Sequence, residues 1–427
     1  MKLGADDAFA VRDLYRSDSL VVRQVAANDR DRWVVTFDNY GIGHGFDRPG
    51  FGQAWLQSQN MSAIHVMGRA EDWYQYENIA EALEAVRTAV AGTSRVITYG
   101  SSMGGYAAIR FADAVGAHAA LALSPQYTLD PEIAAHDGRW SQDVQRIFWL
   151  KAFSGPLKSR ARIVLAYDPW GLDGWHGRRI GADVAAEAVR LPFTAHPVTS
   201  FLSEIGLLGE LVVRVLDDTL DAPAFEREAR RRRSTSGVYL GELAGLQPLH
   251  RQRLALALGR RAVDASPSNH HARLSLARLL LRGGEQDEAL LLLEGLVADS
   301  NRAVTYLVDH GQALAMSGRT AEARVIVNEV LEQAGDVAHL HGWAAHTSWL
   351  NGDRQDARGL IRRALQLDPA NPVYARAAAA YGLKNAASTA AGSSPWARVA
   401  RWFERRWPRR TAQTEFRRTD SEPATGS

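Results

Sequence analysis

Short runs rich in β-branched and aromatic residues punctuate the first half of the chain: Leu20–Ala26, Trp33–Phe37, Ala63–Met67, Arg95–Tyr99, Ala119–Leu123, Ile163–Tyr167 and Ala188–Phe193. Each is short enough and apolar enough to predict a strand. Helical patterns fall between them near 52–59, 77–91, 104–115 and 178–187, and a last apolar helix is expected near 200–217. Strand–helix alternation predicts an α/β fold, a mostly parallel sheet with helices on both faces. Residues 125–160 break the rhythm. They carry Trp and Asp between two predicted strands and read as a small cap over the C-terminal edge of the sheet, or as a long surface loop, a form uncommon unless functional.

Residues 222–235 (APAFEREARRRRST) read as a charged linker whose Arg230–Arg233 run is a solvated joint. From 236 to about 385 the pattern is helical and periodic. Gly284, Gly318 and Gly352 are spaced by 34, as are Ala289, Ala323 and Ala357, with Ala255 one unit earlier. Ala277, Gly311 and Ala345 repeat at the same interval, and Pro267 and Pro369 end matching units. A fixed period of this length marks stacked supersecondary units. Over about 236–371 the chain resembles the tetratricopeptide family, which implies an all-α solenoid of paired antiparallel helices with a protein partner on its concave face. The aromatic positions of that family are poorly kept. A helix near 372–383 would cap the stack.

Formal net charge is +2, too small to make nucleic acid the main partner. The charge is uneven, since residues 386–427 hold eight Arg against four acidic residues. Within that Ser/Ala/Gly-rich tail, 394–410 interleaves Trp396, Trp402, Phe403 and Trp407 with Arg398, Arg401, Arg405 and Arg406. Such a segment suits peripheral contact with a membrane surface or an acidic partner, or else is disordered. There is no cysteine, which excludes disulfides, thiolate zinc sites and a Cys nucleophile and fits a reducing compartment. The N-terminus does not read as a signal peptide. No apolar stretch of about 18 residues suggests a membrane span. A cytoplasmic location is the expectation, with a peripheral membrane position as the tail's variant of it.

The sharpest chemical signal is Gly100-Ser101-Ser102-Met103-Gly104, preceded by the strand Arg95–Tyr99 and followed by a helical pattern. This is the G-x-S-x-G context in which a strained turn lifts a serine hydroxyl above a sheet. The Met103 N–H, at the start of the helix, would face a developing oxyanion. Asp168 ends the strand Arg162–Tyr167, Asp173 follows five residues on, and His196 lies one helix and one strand further. Here the chain resembles the α/β-hydrolase superfamily over roughly 20–220, with the chain order Ser…Asp…His. The resemblance implies Ser102 as nucleophile, His196 as general base and Asp168 or Asp173 as the acid. Asp168 is favoured by its place at the strand end.

The resemblance also places a second oxyanion donor in the loop after Phe37, at Asn39 or Tyr40. Many members have His-Gly there, where this chain has Asp38-Asn39 and brings His44-Gly45 late. The spaced glycines Gly41, Gly43 and Gly45 precede no helix directly, so they do not make a phosphate loop. Trp73, Tyr74, Tyr76, Trp140, Trp149, Trp170 and Trp175 would line an acyl or sugar pocket or pack in the core. His270-His271, His339 and His341 lack acidic or Cys partners at ligand spacing and read as surface residues. No metal or organic cofactor is implied.

The reading is a serine hydrolase acting on a small-molecule or glycan ester, or a thioester, through an acyl-enzyme on Ser102. An acyltransferase shares that intermediate. A second class of reading is a non-catalytic scaffold of hydrolase type whose repeats bind a protein partner.

Overall fold

The structure is a computed structural model that describes residues 9–383 except 44, 135 and 145. Both His44 and the basic segment 394–410 lie outside the described residues. Two units are distinguished, residues 1–306 and 307–427.

The first unit is built on eight strands: β1 (Ala10–Arg16), β2 (Leu20–Ala26), β3 (Arg32–Phe37), β4 (Ser62–Gly68), β5 (Arg95–Ser101), β6 (Ala119–Leu123), β7 (Arg162–Tyr167) and β8 (Ala186–Arg190). Their spatial order is β1-β2-β4-β3-β5-β6-β7-β8. The β1/β2 and β2/β4 pairs are antiparallel, and every pair from β4 to β8 is parallel. Side chains alternate between two cores, as the two-residue period of a strand requires. Val34, Ile97, Tyr99, Leu121 and Val164 face one core, while Trp33, Val35, Phe37 and Val96 face the other. With both faces covered, central strands read as continuous apolar runs.

Helices α1 (Gln53–Ser58), α2 (Ile79–Ala89), α3 (Met103–Arg110), α6 (Gly171–Asp183), α7 (Val198–Glu204), α8 (Leu208–Leu216) and α9 (Ala222–Arg232) accompany this sheet. Residues 125–160 form two single-turn helices, α4 (Pro131–Ala134) and α5 (Ser141–Val144), and a 3₁₀ turn at Lys151–Phe153. Val144 is buried in the β3–α3 core, with Trp140, Trp149 and Phe153 packed against it. The segment is therefore a packed cap, not a free loop.

Several expectations need correction. β1 has no counterpart among the predicted strands, because AVRDLYR is an exposed antiparallel edge strand with no apolar stripe. The last strand occupies Ala186–Arg190, not Ala188–Phe193, so Leu191–Phe193 begin the loop that carries His196. The helix expected at 178–187 starts at Gly171, bringing Asp173 into its first turn. The helix expected at 200–217 is two helices, broken at Gly206 with φ +71°. The linker is α9, whose Ala222, Phe225 and Ala229 are buried at a three-then-four spacing while Arg230–Arg233 stay exposed. That spacing is the period of one helix face, and the arginine run masked it.

Helices α10 (Gly237–Gly245), α11 (Gln252–Ala265), α12 (His270–Gly283) and α13 (Gln286–Asp299) complete the first unit. Val238, Tyr239, Leu240, Ala262 and Ala272 join the same core as α7 to α9. The second unit holds most of α14 (Val304–Met316), then α15 (Thr320–Ala334), α16 (Ala338–Asn351), α17 (Arg354–Leu367) and α18 (Pro372–Ala380). The helices from 236 onward are a tetratricopeptide-like repeat region. Ala255, Ala289, Ala323 and Ala357 are fully buried, as are Ala277 and Ala345. Gly284, Gly318 and Gly352 all adopt positive φ between +74° and +89° after their helices. Glycine takes that left-handed cap without a Cβ penalty. Among the described residues no helix is long and apolar enough to cross a membrane.

Candidate functional site

Ser102 sits between β5 and α3 with φ 54° and ψ −115°, far outside the ordinary basins of a non-glycine residue. The corner closes only with glycines on either side. A Cβ on Gly100 would lie 2.2 Å from the Gly104 carbonyl oxygen, and one on Gly104 would lie 2.4 Å from that of Phe37. Trp73, Tyr74, Ser124, Phe193 and Ala195 also have positive φ. Each such residue costs on the order of 1–3 kcal/mol, and strain of this kind gathers where surrounding structure over-determines a functional geometry.

The loop after β8 carries His196 back to this corner. Its Nε2 is 2.9 Å from Ser102 Oγ, and its Nδ1 is 2.8 Å from Asp173 Oδ2. Ser102, His196 and Asp173 thus form a continuous hydrogen-bonded series. Asp173, and not the favoured Asp168, contacts the imidazole. The reason is local. α6 begins immediately after Trp170, so Asp173 projects from its first turn towards the histidine loop. Asp168 instead accepts backbone N–H bonds from Trp170 (3.0 Å), Thr194 (2.9 Å) and Ala195 (3.2 Å), clamping the loop that presents His196. The His196–Pro197 peptide is cis. Beyond it, the Val198 N–H donates to Ser124 Oγ at 3.1 Å, anchoring α7.

Burial works against a charged Asp173, but the hydrogen bond and charge of His196 and the Arg139 guanidinium outweigh it and hold the carboxyl below its usual range. Arg139 donates to Asp173 Oδ1 at 2.7 Å and to Asp137 at 2.7 Å. Asp137 also meets His176 Nε2 at 2.9 Å, while His176 Nδ1 accepts the Tyr127 N–H at 3.0 Å. Burial opposes ionisation of Asp137 too, and His176 with Arg139 overcomes it, holding that carboxyl well below the usual range. Burial pushes Asp168 up, against its three N–H donors.

The Met103 N–H opens α3 and, as a first-turn donor, has no acceptor within the helix. The Ser102 N–H is already bonded to the Leu123 carbonyl at 2.8 Å. Asn39 turns its amide to the Tyr40 carbonyl at 2.8 Å, and the Tyr40 hydroxyl donates to Asp143 at 3.0 Å. The Tyr40 ring packs on Trp73 and Trp140 at centroid distances of 6.0 and 6.1 Å, and Trp140 packs edge-on against His196 at 5.4 Å. Of the other tryptophans, Trp170 is exposed and stacks with Phe193. Trp175 lies against His136 and His176.

Three neighbours of the site escaped sequence reasoning. The Gln126 amide nitrogen is 3.1 Å from Ser102 Oγ, and its carbonyl accepts the Trp73 indole N–H at 3.1 Å. Arg139 and Asp137 come from the cap. Only Gln126 carried a usable signal, since it stands just beyond the C-terminal end of β6, the strand beside the elbow strand. Among the described residues no group of three or more His, Asp or Glu is arranged to hold a metal ion.

No family model matches the chain, and no curated protein does. Solved structures similar to part of it include tetratricopeptide repeat proteins. A thermophilic TPR protein from Thermus thermophilus is 22% identical over 37% of this chain and 84% of that one, with TM-score 0.28. A TPR protein described as having an unusual peptide-binding site is 20% identical over 42% and 89%, with TM-score 0.31. A tetratricopeptide repeat protein from Parabacteroides merdae is 15% identical over 43% and 72%, with TM-score 0.31.

Proposed function

We propose that the chain is a serine hydrolase of α/β-hydrolase type, acting on an ester or thioester through an acyl-enzyme on Ser102. The observation that carries this reading is the series from Ser102 Oγ through His196 to Asp173 on a strained strand-to-helix corner. A serine hydroxyl needs a base to become a useful nucleophile. As Oγ bonds to the substrate carbonyl carbon, its proton passes to His196 Nε2 and the carbonyl electron pair moves onto oxygen. The Met103 N–H faces that charge. Collapse expels the leaving group, which takes the proton from His196. Water, or another acceptor in an acyltransferase, then attacks by the same path in reverse. Asp173 accepts a hydrogen bond from the His196 Nδ1–H throughout without taking its proton, which keeps Nε2 free as a base. The repeat region would hold a protein partner.

A second reading, a non-catalytic scaffold whose repeats do the binding, is favoured by the closure of the site. Ser102 is only 4% exposed, with Trp140 across His196. One experiment separates the two. A fluorophosphonate probe labels the full chain, and Ser102→Ala and His196→Ala abolish labelling, if the hydrolase reading holds. No labelling of the wild type, or labelling that survives in Ser102→Ala, favours the scaffold.

A further inference from the structure

The geometry points to Gln126 as a catalytic residue, the side-chain donor that completes the oxyanion site at Ser102. This inference rests on the hydrolase reading and deepens it. The Gln126 side chain is buried to 1% exposure and spans two fully defined partners. An amide can present either end to a neighbour, but an indole N–H only donates. Trp73 Nε1, itself buried, is 3.1 Å from the Gln126 oxygen, so the amide oxygen faces Trp73 and the NH2 faces Ser102 Oγ at 3.1 Å. Trp73 and Tyr74, which carry the indole to this amide, hold φ of 51° and 57°.

Two consequences follow for the reaction. In the resting site Oγ accepts from Gln126, which leaves the hydroxyl hydrogen directed at His196 Nε2, 2.9 Å away. When Oγ bonds to the carbonyl carbon and its proton passes to His196, Oγ becomes an ether-type oxygen of the tetrahedral intermediate and a weaker acceptor than the oxyanion. The negative charge then sits on the former carbonyl oxygen, two bonds from Oγ and within reach of the same NH2 group.

Three donors near the corner are already engaged. The Ser102 N–H bonds to Leu123, the Asp38 N–H donates to the Tyr74 hydroxyl at 2.5 Å, and the Asn39 amide is turned to the Tyr40 carbonyl. Gln126 adds a buried side-chain donor to that corner, beside the Met103 N–H.

The test uses p-nitrophenyl acetate hydrolysis and fluorophosphonate labelling of the full chain, with Gln126→Met and Trp73→Phe. Methionine keeps length and loses both donors; phenylalanine keeps the amide and frees its orientation. Removing one oxyanion donor costs on the order of 10²–10³ in kcat. Gln126→Met is expected to lose that much in kcat with KM little changed, to slow labelling in parallel, and to stay folded with a lower melting temperature, because the buried Trp73 N–H loses its acceptor. Trp73→Phe is expected to fall between the two and supplies the test if Gln126→Met does not fold. Wild-type kcat in both variants, or a loss confined to KM, would overturn the role of Gln126 and leave Ser102 standing. A wild type that neither labels nor hydrolyses the ester would remove the reading underneath, and the inference with it.

Discussion

Asp173→Asn isolates the part of the site that the hydrolase reading depends on. The surrounding donors dictate how the new amide must lie. Arg139 only donates, and its Nη1 is 2.7 Å from Asp173 Oδ1, so the asparagine carbonyl must take that position. The asparagine NH2 then faces His196 Nδ1, the atom 2.8 Å from Oδ2 in the wild type. An NH2 group there forces Nδ1 to accept, which puts the imidazole proton on Nε2. That tautomer cannot take the Ser102 proton. In a serine–histidine–carboxylate site the same reversal costs about 10⁴ in kcat, roughly 5.4 kcal/mol at 1.36 kcal/mol per tenfold. Asp168→Asn should behave differently. It weakens one or two of three carboxylate bonds to backbone N–H groups, at roughly 1.5–3 kcal/mol each, and so destabilises the His196 loop without changing the tautomer. The assay pairs ester turnover and labelling rate with urea unfolding for both variants. The expected pattern is a near-complete loss of turnover with modest change in unfolding for Asp173→Asn, and the converse for Asp168→Asn. If Asp173→Asn keeps more than about a tenth of wild-type turnover, or Asp168→Asn loses turnover while its unfolding midpoint is unchanged, the assignment of the acid is wrong.

Gly104→Val should fail to fold or melt far below the wild type, because its Cβ would meet backbone carbonyls of Phe37 and Asp38 at 2.4 and 2.8 Å; a wild-type melt would contradict the elbow packing. Arg139→Gln leaves Asp137 and Asp173 buried without their cation, and a broken buried pair costs on the order of 3 kcal/mol, read as a lower urea midpoint. Burial lowers the pKa of His65 from 6.5 to about 3, so the folded state binds the proton more weakly than the unfolded chain. Its contribution is fully present well above pH 6.5 and is lost as pH falls through that value towards 3, by about 2.5 kcal/mol between pH 7 and 4.5. His65→Leu should flatten the fall in unfolding free energy over that window by that amount. Ala345→Leu adds a larger side chain where the alanine is fully buried, and overpacking of this kind costs about 1–3 kcal/mol, measurable as a drop in melting temperature.

Why some of this was legible in the sequence and some was not follows from the range of the contacts involved. The elbow was legible because strand, glycines and helix are consecutive, so the constraint is local. His196 was legible through its place in the order of strands and helices. The repeat positions were legible because the same packing constraint recurs every 34 residues. The choice between Asp168 and Asp173 was not, since it turns on where α6 begins, and that boundary lies seven residues earlier than the apolar pattern suggested. Strand β1 and helix α9 were hidden by charge, one as a solvent-facing edge and the other behind an arginine run. The Gln126–Trp73 and Arg139–Asp173 contacts join residues 53 and 34 apart and leave no periodic trace.

The cap and the candidate triad are joined by charge as well as by packing. Arg139 and Trp140 are consecutive, and they reach two different members of the series: the guanidinium meets Asp173, and the indole ring meets His196. Asp137 holds the guanidinium from the other side and is itself tied to His176 on α6, the helix that carries Asp173. The Arg139 guanidinium also lies 4.6 Å from the Trp140 ring centre, a cation–π contact between the two neighbours. A carboxylate shared between a guanidinium and an imidazole lends less of its charge to the imidazole. One cap segment therefore touches both partners of Ser102 in the series, the histidine through Trp140 and the carboxylate through Arg139, so the charge available to the imidazole depends on residues that the strand order alone does not reveal.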